Sequence, residues 1–206
     1  MFHIYTLLIS CICLYNVYGV MCHYLSDLPR RNYVVKNVVK SFVLCLLVLA
    51  SFVFLRDWDN DTIKSFAALY VSNDLMALIV CRNTLPTSTR LHHLTSVLFL
   101  FAAFQTDFTQ SNTAQMLFYY TYASAWAFPV NLYLGLRLCF QRRPAYLDTL
   151  LRICKFIYPT ICIVNWTYQL YLFDFTYTSM LYAMFLTMIV YDDVVLIKWL
   201  YSHSTL

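Results

Sequence analysis

The chain has 206 residues, of which 61% are hydrophobic and 12% are charged, and its formal net charge is +4. Soluble domains have about 45–50% apolar and about 25% charged residues, so this composition excludes a water-soluble globule, which would leave too much apolar surface in water. The small net charge gives no indication of nucleic-acid binding. We therefore predict an all-α, polytopic membrane protein.

Seven runs of mostly apolar residues are interpreted as membrane spans, which need about 20 residues each. The fourth run is short for a span unless its histidines lie within the membrane region. In chain order the predicted spans are about 2–21, 38–55, 63–81, 92–104, 116–138, 153–173 and 180–201. The first is interpreted as an uncleaved helix because no Lys or Arg precedes it. Pro129 and Pro159 are expected to bend the fifth and sixth spans. The chain then divides into an N-terminal transmembrane helix, residues 1–29, and a six-helix membrane domain, residues 30–206.

Basic residues divide unevenly between the two sides of this topology. One side has only Arg56 and Lys64, in a connection that also carries Asp57, Asp59 and Asp61. The other side has Arg30, Arg31, Lys36, Lys40, Arg82, Arg90, Arg137, Arg142, Arg143, Arg152, Lys155 and Lys198. Cytoplasmic segments carry the excess of Lys and Arg. This predicts a lumenal or extracellular N-terminus and a cytosolic C-terminus, in the endoplasmic reticulum or the plasma membrane.

The eight cysteines do not form a metal-binding pattern. There is no C-x-x-C pair and no Cys/His spacing typical of zinc. Most of the cysteines lie within or beside apolar runs, where a cysteine behaves as a small hydrophobic residue. We predict neither a metal nor a cofactor. Asn60-Asp61-Thr62 is a glycosylation sequon on the predicted lumenal side, very close to two spans.

The adjacent histidines His92 and His93 form the first candidate site. An ionisable group within a membrane is costly and by default faces a bundle interior or a water-filled cavity. Neighbouring residues on a helix point about 100° apart, so one imidazole would act as a general base while the other contacts a neighbour or a substrate. The alternative is a pair of interfacial histidines at the cytosolic start of a helix, which physical reasoning alone favours.

Two further sets of carboxylates belong to the candidate polar cavity. Asp74 is a partner for a histidine or for Arg90, or else a hydrogen-bonding group that holds the helices together. Asp192 and Asp193 would bind a cation or hold an imidazole, although their position near the cytosolic end of the last span favours simple solvation. Asn131 adds a polar group to the fifth span, where packing is the more ordinary role.

Four short segments carry a resemblance to a known family. The segments 70–75 (YVSNDL), 85–86 (LP), 92–96 (HHLTS) and 124–132 (SAWAFPVNL) resemble the TLC-domain family, and the resemblance covers residues 30–199. The family includes ceramide synthases and smaller proteins linked to membrane lipid composition. The resemblance implies a six-helix membrane core preceded by one helix. Ceramide synthases carry the paired histidine and then an Asp-bearing motif, but residues 118–122 (FYYTY) contain no carboxylate.

Two functions are compatible with this resemblance and with the missing carboxylate in residues 118–122. The missing carboxylate favours a TLC-type protein that is not a ceramide synthase, binds or senses membrane lipids and influences lipid composition. The alternative is a lipid N-acyltransferase, in which His92 or His93 deprotonates a sphingoid base that attacks acyl-CoA. A cavity that reaches both histidines, with Asp74 alongside, would favour the N-acyltransferase. The expected partners are membrane lipids, with acyl-CoA added under the alternative, and no nucleic acid.

Overall fold

The computed structural model of the protein describes residues 2–54, 59–108 and 111–202. Within these ranges the chain is helical and contains no strand, which confirms the all-α prediction. The helices are α1 (Phe2–Tyr24), α2 (Arg31–Phe54), α3 (Asn60–Val80), α4 (Thr87–Gln105), α5 (Asn112–Ala125), α6 (Phe128–Leu136), α7 (Ala145–Leu172) and α8 (Tyr177–Ser202). Arg56 and Asp57, two of the charges on the predicted lumenal side, lie outside the described residues.

Four of these helices are long and apolar enough to cross a membrane on their own, fewer than the seven spans predicted from the sequence. They are α1, α2, α3 and α8. The helices α5 and α6 are too short, with 14 and 9 residues. The helices α4 and α7 are long enough, but polar side chains such as His93 in α4 and Asn165 in α7 lower their hydropathy.

Polar residues at the start of one predicted span and inside another are helical rather than irregular. The helix α2 begins at Arg31, so Lys36 and Lys40 are buried helix residues and not part of a connection. The helix α3 continues without interruption through the polar residues 72–74. Ser72 and Asn73 both donate to the carbonyl of Leu69, which keeps their polar groups hydrogen-bonded inside the helix. The second span was therefore predicted to begin too late, at residue 38 rather than at Arg31.

The two prolines affect their helices differently. The predicted fifth span is broken at residues 126–127, and Pro129 is the second residue of α6, where the missing N–H leaves no hydrogen bond unmade. The predicted bend near Pro129 is therefore a break between α5 and α6. Pro159 lies inside α7, which nevertheless continues to Leu172.

Hydrogen bonds between connections define two ends of the bundle. At one end, Asn60 donates to Asp107 over 2.9 Å and accepts from the Phe108 amide over 2.8 Å. Thr113 and Ser179, near the starts of α5 and α8, lie 2.8 Å apart and belong to the same end. At the opposite end the Cys81 thiol donates to the Asn32 carbonyl. We call these the Asn60 end and the Asn32 end.

The helices α2 and α6 pack very closely through Gly135. A Cβ at this position would lie 2.7 Å from Cγ2 of Val38 and 3.2 Å from the carbonyl oxygen of Val34. Glycine permits this approach, whereas a Cβ would force these atoms of α2 to shift. The contact fixes α6 against α2 and sets the position of Arg137, which ends α6.

Candidate functional site

The helix α4 carries His92 and His93 into the bundle. It begins at Thr87, after Pro86, rather than at the histidines as predicted, so both imidazoles lie in its second turn and not at its start. The two rings diverge as expected for neighbouring helix residues, with centroids 5.5 Å apart. His93 is only 2% exposed. Interfacial solvation does not account for a histidine buried to this extent.

His93 faces α3. Its Nδ1 lies 3.0 Å from Oδ1 of Asp74, and the Lys40 ammonium donates to the same carboxylate oxygen. Asp74 is fully buried, so its charge is balanced inside the protein by Lys40 and not by water. Arg90 does not take part, because its side chain is exposed and donates to Thr87 over 3.3 Å. Asp74 is thus the neighbour of a histidine, as one of the alternatives predicted, and not of Arg90.

His92 faces α8 instead. Its Nδ1 lies 3.2 Å from Oδ2 of Asp192, and Thr89 donates to the other oxygen of that carboxylate over 3.0 Å. Each of the two histidines therefore has a carboxylate beside its Nδ1. In both cases this carboxylate comes from a different helix.

Asp193 binds two tyrosines, unlike Asp192, which lies beside a histidine. Tyr120 of α5 donates to one oxygen over 2.9 Å, and Tyr158 of α7 donates to the other over 2.8 Å. Asp192 and Asp193 are only 8% and 6% exposed. Simple solvation, favoured from their position in the sequence, is therefore wrong for this pair, because each carboxylate is satisfied by side chains of the bundle.

The histidines and these carboxylates border one cavity of about 240 Å³, a little below the range of about 300–1,000 Å³ usual for small-molecule pockets. Its charged and polar walls include His92, His93, Asp192, Asp193, Lys36, Lys40, Arg137 and Asn131. Asn131 donates to the Ala127 carbonyl over 3.2 Å and so retains a local packing role at the cavity wall. Asp74 lies behind His93 and Lys40.

The imidazoles retain unused hydrogen-bonding capacity. Their Nδ1 atoms are close to carboxylates, yet none of the four ring nitrogens makes an aligned hydrogen bond within the described part of the chain, and neither does Oδ2 of Asp74. A buried polar group without a partner costs about 1–3 kcal/mol. Such groups beside a cavity are well placed to bind a ligand or to move a proton.

Asp74, His92 and His93 also form a possible metal-binding set. One donor atom from each lies within 4.8 Å of the other two. Nitrogen and carboxylate donors suit zinc, and Cys/His spacing in the sequence gives no sign of this set because two of the donors are adjacent. However, the ammonium of Lys40 already binds Asp74 and would repel a metal cation. Acid–base chemistry fits these charges better than metal binding.

Several residues of the site have no clear signal in the sequence. Tyr120 lies within the segment 118–122, where the resemblance leads one to expect a carboxylate, and Asp193 supplies a carboxylate there from α8. Tyr158 is one of many tyrosines. Lys36 and Lys40 did offer a signal, since two lysines one helical turn apart at the edge of an apolar run would share a face of a longer helix.

No protein-family model, curated protein or solved structure matches the chain. The functional assignment therefore depends on the chemistry of the residues around this cavity.

Proposed function

We propose that the protein is a TLC-type, membrane-embedded lipid N-acyltransferase that joins a fatty acyl group from acyl-CoA to the amine of a sphingoid base. One observation carries the proposal: His92 and His93 line the same cavity, each has a carboxylate beside Nδ1, and neither Nε2 has a hydrogen-bond partner among the described residues. An imidazole oriented by a carboxylate is the usual arrangement of a general base.

The geometry suggests a role for each histidine. Asp74, which also binds Lys40, orients the imidazole of His93. The Nε2 of His93 would accept the proton that the attacking amine loses. The amine nitrogen forms a bond to the thioester carbon, and the carbon–sulfur bond breaks. His92, beside Asp192, would then give a proton to the departing thiolate. One proton is taken up and one is supplied, so the reaction needs no further reactant.

The topology that accompanies this proposal has seven crossings. The α5–α6 pair would cross once as a broken helix, and α4 and α7 would each cross once. The two bundle ends support this, because connections that alternate along the chain meet at the Asn60 end and at the Asn32 end. The N-terminus would be lumenal or extracellular and the C-terminus cytosolic, in the endoplasmic reticulum or plasma membrane.

A second candidate is a lipid-binding or lipid-sensing protein without catalysis. The observation that favours it is the absence of a carboxylate from residues 118–122, where Tyr120 instead donates to Asp193. In that case the histidines would contact lipid and the cavity would hold it.

Amide synthesis by the purified protein tests the two candidates. The full chain in detergent is incubated with sphinganine and palmitoyl-CoA, and the amide product is followed by mass spectrometry. We expect product from the wild type and a rate about 10²–10⁴-fold lower for His93→Gln and His92→Gln. His23→Gln, at an exposed position near the end of α1, is the matched control and should leave the rate unchanged.

The two candidate functions predict different results for the wild type and the histidine variants. Folded wild-type protein that forms no amide, or a His93→Gln variant that keeps the wild-type rate, would reject catalysis by this site. Lipid that co-purifies with such an inactive wild type, and is lost from the histidine variants, would support the second candidate.

A further inference from the structure

Two cations at the cavity wall have no carboxylate partner among the residues that the structure describes. Lys36 lies in the second turn of α2 and is 5% exposed, and Arg137 ends α6. Both line the same cavity as the histidines. The ion pairs found within the described ranges include neither of them.

The contacts that these cations do make are weak. The ammonium of Lys36 donates to the neutral side chain of Asn37 over 3.2 Å and lies 5.6 Å from the ring centroid of Tyr33. The guanidinium carbon of Arg137 lies 4.1 Å from the Trp199 ring centroid, and its buried Nε has no hydrogen-bond partner in the part of the chain described. Stacking orients Arg137 but does not neutralise it.

The carboxylates in the cavity wall and behind it are already engaged. Asp74 binds Lys40, Asp192 lies beside His92, and Asp193 accepts from two tyrosines. A buried charge without a counter-charge is costly, so an anion that enters the cavity would relieve a cost that the protein's own carboxylates do not. Guanidinium offers several donors in a plane that matches phosphate, and lysine adds a point charge.

The position of the pair defines the shape of the ligand. Lys36 and Arg137 lie near helix ends at the Asn32 end, and Leu44, Val130 and Ile161 add apolar wall to the same cavity. We propose that Lys36 and Arg137 form an anion subsite for the phosphate group of an amphiphile whose apolar chain occupies the rest of the cavity. The subsite shares its cavity with the proposed acyl transfer but requires no turnover.

Two ligands with the same alkyl group and different headgroups test the subsite in the full-length protein. In maltoside detergent, which contains no phosphate, binding of dodecyl phosphate is compared with binding of dodecanol. We expect dodecyl phosphate to bind at least about tenfold more tightly. Lys36→Met and Arg137→Met should each reduce this preference to about threefold or less. The exposed residues Lys198 and Arg82 provide the controls Lys198→Met and Arg82→Met, which should keep the wild-type preference.

Further ligands identify the source of the phosphate. Stronger competition by dodecanoyl lysophosphatidate than by dodecanoyl-CoA would identify a lipid headgroup, and the reverse order would identify the phosphates of an acyl-CoA. Competition by dodecanoate equal to that by dodecyl phosphate would overturn the phosphate assignment. Equal binding of dodecyl phosphate and dodecanol to the wild type would overturn the subsite altogether, and this comparison suffices if the methionine variants do not fold.

The histidine variants separate this inference from the proposed function. His93→Gln should keep the preference for dodecyl phosphate, since His93 is not part of the subsite. Absence of acyl transfer with an intact phosphate preference would reject catalysis and leave the subsite standing. A preference that survives both methionine substitutions in folded protein would reject the subsite whatever the outcome for acyl transfer.

Discussion

Oδ1 of Asp74 lies 3.0 Å from Nδ1 of His93, and the same oxygen accepts a hydrogen bond from the ammonium of Lys40. The three side chains come from α3, α4 and α2, and all are buried. One carboxylate oxygen thus joins three helices and positions the imidazole at the cavity. Removing this carboxylate would affect both the stability of the bundle and the orientation of His93.

The first prediction concerns the buried pair of Lys40 and Asp74. Asp74→Asn leaves the Lys40 ammonium buried without a counter-charge, so we expect the free energy of unfolding to fall by about 3–5 kcal/mol. Lys40→Met combined with Asp74→Asn should recover part of this loss, because the uncompensated charge is then gone. Unfolding in mixed micelles, followed by circular dichroism, measures both changes.

An exposed ion pair of the same chain provides the control. Arg143 lies 2.7 Å from Asp148, and their side chains are 31% and 55% exposed. Arg143→Met should change the free energy of unfolding by no more than about 1 kcal/mol. Equal losses for Asp74→Asn and Arg143→Met would show that the buried carboxylate does not hold the helices together.

The second prediction concerns the two tyrosines on Asp193. Tyr120→Phe and Tyr158→Phe each remove one donor, and we expect each to lower the free energy of unfolding by about 0.6–1.7 kcal/mol, from the average to the maximum for polar contacts between membrane helices. The double variant should lose more than the sum, since Asp193 is then left buried without a phenol. Tyr191→Phe, at an exposed position of α8, is the control. Strictly additive losses would contradict this shared role.

The sequence predicts the helical class well because composition and apolar runs depend on local physics. It also indicates that His92, His93, Asp74, Asp192 and Asp193 are unusual, since ionisable groups in apolar runs are costly. It does not predict which of them are partners. That depends on how α3, α4 and α8 pack, and helix packing leaves no periodic trace that a single sequence shows.

The helix ends were predicted less well, for a physical reason. Lys36 and Lys40 look like loop residues when each is judged by its own hydropathy. In the structure Lys40 is neutralised by Asp74 of a neighbouring helix, so the apolar environment tolerates it inside α2. A transfer scale for isolated residues cannot include this compensation. The tyrosines Tyr120 and Tyr158 were missed because phenols in a chain with 18 tyrosines carry no distinguishing pattern.

The third prediction concerns the pH dependence of the cap of α3. Asp59 precedes this helix and accepts a hydrogen bond from the Thr62 amide over 2.6 Å. This bond from the backbone N–H of Thr62 lowers the pKa of the Asp59 carboxyl. A lowered pKa in the folded state stabilises the protein above the unfolded pKa of about 3.9, and the stabilisation is lost as the pH falls through the folded pKa.

Thermal unfolding between about pH 7 and pH 2 tests this sign. Asp59→Asn keeps a capping side chain but does not titrate, so we expect the wild type to lose more stability than the variant as the medium is acidified. At neutral pH the two should differ little, whereas Asp59→Ala should be less stable than both. Parallel curves for wild type and Asp59→Asn over the whole range would show that this carboxyl does not titrate abnormally.

The fourth prediction concerns the close contact of α6 with α2. Alanine at position 135 would favour the helical backbone by about 1 kcal/mol relative to glycine. Its Cβ would, however, lie 2.7 Å from Cγ2 of Val38 and 3.2 Å from the Val34 carbonyl oxygen. The backbone oxygen cannot move without shifting α2, so overpacking should prevail, and we expect Gly135→Ala to lower the free energy of unfolding by about 1–3 kcal/mol.

Gly19 is the matched control, because a Cβ there would meet nothing within 4 Å. Gly19→Ala should therefore stabilise the protein by about 0.5–1 kcal/mol. Val38→Ala should rescue Gly135→Ala only in part, since it removes the contact with Cγ2 but not those with the backbone of α2 at 3.2 and 3.3 Å. Complete rescue would show that the side chain of Val38 alone sets the helix distance. Equal stabilisation by both alanines would mean that α2 and α6 are free to separate, and the wall that carries Lys36 and Arg137 would then not be fixed by this contact.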